Sequence, residues 1–302
     1  MIESVYRPKY WLVWPLVWLL RLTIIVLPYR ALMAIGKGLG NLMFFFAKKR
    51  RHIVIVNLKR CFPDFTDAQY CQTAKEAFQS AGMGLVEALI AWWWPSWRIN
   101  KLTVKFNDLT PLDQAHHSGQ GVVLLSAHYP CMELFARLFS LKYRFNIIYK
   151  NIRDPFAAKL ITDGRKRSVE KVLINTDLKA IIASLKQGDM VWIAPDQDFG
   201  PRRSVFVEFF GQPMAMVKII TTLAKASNAH LFPAFFRRLP HQAGYEGKIL
   251  SELVSTGLKA DASAYNQALE AFIAEDPGQY FWLHRRFKTQ PEGCSPYSGK
   301  AE

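Results

Sequence analysis

The chain has 302 residues, 50% of them hydrophobic and 21% charged, which excludes a disordered or low-complexity protein and suits one large α/β domain with an appendage. Lys and Arg number 39 against 24 Asp and Glu, a formal net charge of +15, so an acidic partner is expected: nucleic acid, anionic lipid, a phosphorylated substrate or an acidic protein. Nine Trp and 21 Phe favour contact with lipid, and Cys61, Cys71, Cys131 and Cys294 show neither CxxC pairing nor zinc-like spacing to histidine.

Residues 10–27 form an apolar run broken only by Pro15 and Arg21, with Trp11, Trp14 and Trp18 crowding its first half like an interfacial aromatic belt. As a helix it would reach about 27 Å, just short of a bilayer's hydrocarbon core. Arg21 and the lack of a small-residue cleavage site argue against a secretory signal. An arginine near mid-bilayer costs about 2.5–3.5 kcal/mol, which leaves both a transmembrane helix and an interfacial one open. A second apolar stretch, residues 31–47, carries Gly36, Gly38 and Gly40 and ends in Phe44, Phe45 and Phe46. The basic cluster of Lys48, Lys49, Arg50 and Arg51 follows and places the rest of the chain on the cytoplasmic side. Residues 1–47 are therefore expected to anchor the protein to a membrane.

Apolar residues at three- and four-residue spacing predict a helix over residues 64–97, ending in Trp92, Trp93, Trp94 and Trp97. That cluster reads either as core or as a patch that dips into the membrane. From residue 101 the texture changes to alternating short strands and helices. Strands are expected at 121–126, 145–151, 190–194, 230–237 and 247–254. Helices are expected at 130–141, 154–167, 178–186, 216–227 and 261–274. This alternation indicates an α/β fold with a mostly parallel central sheet flanked by helices. The main domain spans residues 48–289, and the polar residues 290–302 read as a loose tail.

His128 comes directly after a buried strand, and Glu133 lies in the first turn of the following helix. Ligands bind at the C-terminal ends of strands in open α/β sheets. A carboxylate on one imidazole nitrogen fixes the tautomer and leaves the other nitrogen as a general base. Glu133 is expected to turn back toward His128 in that role; the alternative is a buried histidine beside a glutamate that serves only the helix dipole. Cys131 reads as packing.

The ordered set of motifs resembles the lipid A late acyltransferases, the lauroyl- and myristoyl-transferring enzymes of Gram-negative bacteria. It runs from the N-terminal anchor through His128 and Glu133 in SAH-x4-E, Asp196-Gln197-Asp198-Phe199, and Phe206 to Gly211. It closes with YFWLHRRFK at residues 280–288. The chain departs from the family at Glu208, where proline is usual, and between His128 and Glu133. The resemblance implies a glycerolipid-acyltransferase-like fold and adds Arg165 and Asp196 as essential residues. Arg165 would clamp a phosphate or charge developing at a thioester, and Asp196 would order Arg165 or position the acceptor; otherwise they are a surface arginine and a turn residue.

The implied reaction is direct acyl transfer from an acyl carrier protein thioester to a hydroxyl on an acyl chain of a phosphorylated lipid A precursor. It takes place at the inner membrane, with no metal, cofactor or acyl-enzyme. Both partners are acidic, in keeping with +15, and Arg202, Arg203, Arg237, Arg285 and Arg286 are candidate contacts to them. Transfer to a glycerolipid or glycosylated phospholipid is the alternative within enzymes. A nucleic-acid binder is disfavoured by the lack of a helix-turn-helix or RNP-like motif. A non-catalytic scaffold is disfavoured by the presence of His128, Glu133, Arg165 and Asp196 together.

Overall fold

The computed structural model describes residues 10–11, 13–149, 152 and 154–297. Four helices come first: α1 (Val13–Val26), α2 (Tyr29–Phe46), α3 (Lys48–Cys61) and α4 (Asp67–Trp93). Pro28 separates α1 from α2, since it can supply no helical N–H. The basic cluster that ends the apolar segment opens α3, whose buried face (Ile53, Val54, Asn57, Leu58, Cys61) has helical spacing. Thr66 and Gln69 form a reciprocal capping box at the start of α4, with Gln69 N–H donating to Thr66 Oγ1 at 3.3 Å.

Glycine sets how closely α2 meets α4. A Cβ on Gly40 would stand 2.3 Å from the Phe78 carbonyl oxygen, and one on Gly82 would stand 2.3 Å from that of Gly36, whereas Gly38 faces open space. The two backbones approach at these positions because no side chain intervenes. A buried network ties the same helices to the sheet. Glu87 accepts from Arg238 Nε at 2.7 Å and from the Tyr245 hydroxyl at 2.6 Å, and Tyr29 meets Tyr245 at 2.7 Å.

The chain continues through α5 (Ser96–Ile99), β1 (Val104–Phe106), α6 (Thr110–His117), β2 (Val122–Leu125), α7 (Met132–Phe139), β3 (Asn146–Tyr149), α8 (Pro155–Arg165) and β4 (Val172–Ile174). It then forms α9 (Leu178–Lys186), β5 (Met190–Ile193), β6 (Ser204–Phe209), β7 (Gln212–Val217), α10 (Ile219–Ser227), β8 (His230–Arg238), β9 (Tyr245–Ile249) and α11 (Leu258–Glu275). Seven strands make one sheet in the order β1-β9-β8-β2-β5-β3-β4, parallel at every pair except β8 with β9. The expected mostly parallel sheet flanked by helices is therefore present. Its central strands β2 and β5 are buried at every position, as strands covered on both faces must be.

The expected helix at 216–227 starts only at Ile219, because residues 212–217 pair with β6 in a separate antiparallel hairpin. Phe210 and Gly211, at φ +50° and +69°, supply its tight turn. Of the four tryptophans, Trp93 and Trp94 join the core, Trp92 is half-buried, and Trp97 is exposed. Tyr297, within the segment read as a tail, is buried, and its hydroxyl accepts from Phe287 N–H at 2.9 Å and bonds Asn57.

Of the spanning and interfacial readings left open for residues 10–27, the transmembrane one is not supported: among the described residues, no helix is long and apolar enough to cross a membrane. The 14 residues of α1 reach about 21 Å, against the roughly 30 Å of hydrocarbon. Instead α1 and α2 pack along α4 and turn Leu16, Trp18, Leu22, Leu42, Phe45 and Phe46 outward.

Candidate active site

Register brings His128 and Asp196 together. Leu125 and Ile193 are partners at the ends of the parallel strands β2 and β5, and each chain then runs three residues further, to His128 and to Asp196. Asp196 grips its neighbour twice: Oδ2 accepts the His128 backbone N–H at 3.0 Å, and Oδ1 meets the ring Nδ1 at 2.5 Å. Asp196 is fully buried. Burial alone raises its carboxyl pKa, but the His128 charge and hydrogen bond, with Arg286 and His284 nearby, outweigh this and hold it well below the usual range. The carboxylate is thus ionised and Nδ1 carries the proton it accepts, so the neutral form of the ring, which lines a cavity, has its lone pair on Nε2.

The pairing differs from the sequence expectation. Glu133 does not reach His128, and Asp196 does not order Arg165; the two carboxylates have exchanged partners. Glu133 accepts from Arg165 Nε at 2.9 Å and 3.2 Å on its two oxygens, with a further bond from Arg165 Nη2, and from Trp92 Nε1 at 3.2 Å. The charge-assisted guanidinium fork saturates this carboxylate and aims it at α8. Gly164 makes room: a Cβ there would stand 2.2 Å from Trp92 Cγ, so only glycine lets that indole lie against α8 beside the ion pair. The Arg165 guanidinium also rests 4.9 Å from the centre of the Tyr149 ring.

The C-terminal motif lies beneath the pair. The Tyr280 hydroxyl donates to Asp196 Oδ2 at 2.8 Å, and Arg286 Nη1 donates to the Asp196 carbonyl oxygen. Arg286 is fully buried and supports Asp196 rather than meeting a ligand in solvent. His284 lies beside them, and burial with the Arg286 charge pushes its imidazole down to about 4.

His128, Glu133 and Arg165 line one cavity of about 1010 Å³, walled by Met132, Ile147, Ile148, Ile181 and Trp192 among others. The remaining expected residues divide. Arg203 lines this cavity, and Arg202 beside it in the same turn is exposed but does not. Arg237 is bound into ion pairs with Glu246 and Glu275, both at 2.7 Å, and Arg285 is exposed away from the cavity, its guanidinium 6.0 Å from the Tyr297 ring. Cys131 is buried, and burial pushes its thiol up to about 12, which rules it out as a thiolate nucleophile. Sequence reasoning did not identify Tyr280, Trp92 or His284; the shared offset of His128 and Asp196 from two apolar strands was the usable signal for the pair.

A carboxylate-backed imidazole and an arginine thus line one largely apolar cavity of an α/β fold. The family model for bacterial lipid A biosynthesis acyltransferase matches residues 3–289, and the chain belongs to that family and is an acyltransferase. It is 38% identical over 294 residues to the lipid A biosynthesis lauroyltransferase of Escherichia coli K12, covering 96% of this chain and 95% of that one. It is 33% identical over 297 residues to that organism's palmitoleoyltransferase, with coverages of 96% and 95%. To its myristoyltransferase it is 25% identical over 312 residues, with coverages of 99% and 94%.

Proposed function

We propose that this enzyme moves a fatty acyl chain from an acyl carrier protein thioester to a hydroxyl on an acyl chain of a phosphorylated lipid A precursor. One observation carries the reading: the free Nε2 of a carboxylate-backed His128 belongs to a ring that shares one cavity with Arg165 and a wall of aliphatic side chains.

His128 Nε2 takes the proton from the acceptor hydroxyl, and Asp196 stabilises the imidazolium that forms. The oxygen attacks the thioester carbonyl. Negative charge builds on that carbonyl oxygen, where Arg165 Nη1, which has no protein partner among the described residues, donates to it. The carbon–sulfur bond then breaks, and the leaving thiolate recovers the proton from Nε2. Glu133 holds the Arg165 fork in place and is a positioning residue. The donor's acyl chain lies along Met132, Ile147, Ile181 and Trp192. Arg202 and Arg203, exposed at the rim, suit an acidic carrier protein.

The outward apolar residues of α1 and α2, with Lys37, Lys48 and Lys49 beside them, suit a helix pair lying in the interface of the inner membrane on its cytoplasmic side. Purified protein given acyl carrier protein thioesters and a panel of acceptors tests the reading. Acylation of the phosphorylated lipid A precursor and not of glycerolipids is expected; transfer to glycerolipids alone would overturn it.

A further inference from the structure

Arg21 is the one charge in the apolar helix α1. It is turned toward a second depression, of about 550 Å³, that it lines together with Arg137, Arg167 and Ser96, and among the described residues no carboxylate lines it. Arg137 Nη2 donates to Ser96 Oγ at 3.0 Å, Nη1 donates to the Arg167 carbonyl oxygen, and its Nε is buried without a partner. Arg167 spends Nη1 on the Trp94 carbonyl oxygen at 3.2 Å. Burial, and then the neighbouring Arg167 charge, lower the pKa of the Arg137 guanidinium. Gathering three guanidinium groups without a counter-charge costs free energy that a bound anion offsets. Their planar forks match the oxygens of phosphate, and a depression of this volume admits a headgroup as well as the phosphate.

Its position identifies what carries the phosphate. On α7, Arg137 follows Glu133 by one turn, about 6 Å along the axis, and Arg167 lies two residues past Arg165, just beyond the end of α8, so the depression adjoins the Glu133–Arg165 pair. Its other wall is α1, whose outer side carries exposed Trp18 and Leu22. A ligand bound here has its phosphate among the arginines, its apolar part along α1 and its reacting part near Glu133 and Arg165. We propose that Arg21, Arg137 and Arg167 form a phosphomonoester subsite that holds the acceptor lipid by a sugar phosphate. This rests on the reading of the acceptor as a phosphorylated glycolipid. It also accounts for an arginine in an otherwise apolar helix.

The test uses full-length protein and two probes that need no acyl transfer. Titration with glucose 1-phosphate should show binding that falls about tenfold or more in Arg21→Gln and Arg167→Gln, the loss of one charge-assisted contact. The charge-matched control Lys186→Gln, an exposed lysine at the end of α9, should bind as the parent does. Arg21 stacks on the Trp18 ring at 5.0 Å and makes no hydrogen bond among the described residues, so its variant stays informative should Arg167→Gln unfold. Flotation with phosphatidylcholine vesicles holding 10 mol% phosphatidic acid, a proportion set by the assay, separates the two sources of phosphate. Arg21-dependent capture by these vesicles without glucose 1-phosphate binding would assign the subsite to bulk phospholipid and overturn the acceptor. Unchanged binding in Arg21→Gln, or an equal loss in the lysine control, would overturn the subsite itself. Arginine-dependent sugar phosphate binding by a protein that acylates no phosphorylated glycolipid would leave the subsite standing and remove the proposed acceptor reaction.

Discussion

Asp196 holds His128 by ring and backbone at once, Oδ1 on Nδ1 at 2.5 Å and Oδ2 on the amide at 3.0 Å. The two residues are 68 apart in sequence yet equidistant from a pair of hydrogen-bonded strand ends. His128→Ala should lower kcat by about 10²–10⁴-fold with the fold intact, the range expected for losing a general base. Asp196→Asn should fall in a similar range with KM little changed, because the tautomer and the imidazolium both lose their support. Steady-state kinetics on folded variants, checked by circular dichroism, measure this.

The Glu133–Arg165 pair predicts a geometric requirement. Arg165→Lys keeps the charge but loses the fork that meets both Glu133 oxygens, so activity should fall about tenfold or more. Lys166→Ala, an exposed neighbour paired with Asp163 at 3.1 Å, should stay near parental activity. Equal losses in a side-by-side assay would reduce Arg165 to a generic surface cation.

His284 predicts a pH effect on stability. Its folded pKa, about 4, lies below the ordinary value of 6.5, so its contribution is complete above 6.5. As pH falls from there, the unfolded chain binds the proton first, and the contribution is lost down to about pH 4. Urea unfolding of the parent should weaken across that window, and His284→Gln should flatten the slope there. Asp196 acts at lower pH: its depressed carboxyl stabilises the fold above the ordinary carboxylate range and is lost on acidification below it.

Ala136 lines the cavity on α7, one helical turn after Met132. Ala136→Phe should shift preference toward shorter acyl thioesters, with a discrimination of about tenfold or more between the longest and shortest chains turned over. A competition assay with a graded thioester series would show an unchanged ranking if the acyl chain lies elsewhere.

Helix packing gives a contrast within one motif. Gly82→Ala pushes a methyl to 2.3 Å from the Gly36 carbonyl and should cost about 1–3 kcal/mol. Gly38→Ala meets open space and should stabilise by up to about 1 kcal/mol through helix propensity. Thermal denaturation distinguishes them.

The apolar strands β2 and β5 and the helices between them were legible because burial on both faces leaves uninterrupted hydrophobic runs. Three-residue edge strands such as β1 and β4 leave no period to read, and the β6–β7 hairpin was hidden because Met214, Ala215 and Met216 face the core in a run as compatible with a helix. The four site residues were identified, but their pairing was not. Spacing along one chain favoured Glu133 for His128, whereas the partners are set by strand register and by a guanidinium fork arriving from α8. Arg286 read as a ligand contact because sequence shows charge and not burial.

The most direct measurement of the central claim is the ring proton of His128 by ¹⁵N-edited NMR on protein carrying labelled histidine. A charge-assisted bond to Asp196 predicts a far-downfield Nδ1–H signal in the parent. That displacement should persist in Glu133→Gln and collapse in Asp196→Asn. A signal lost in Glu133→Gln and retained in Asp196→Asn would contradict the account.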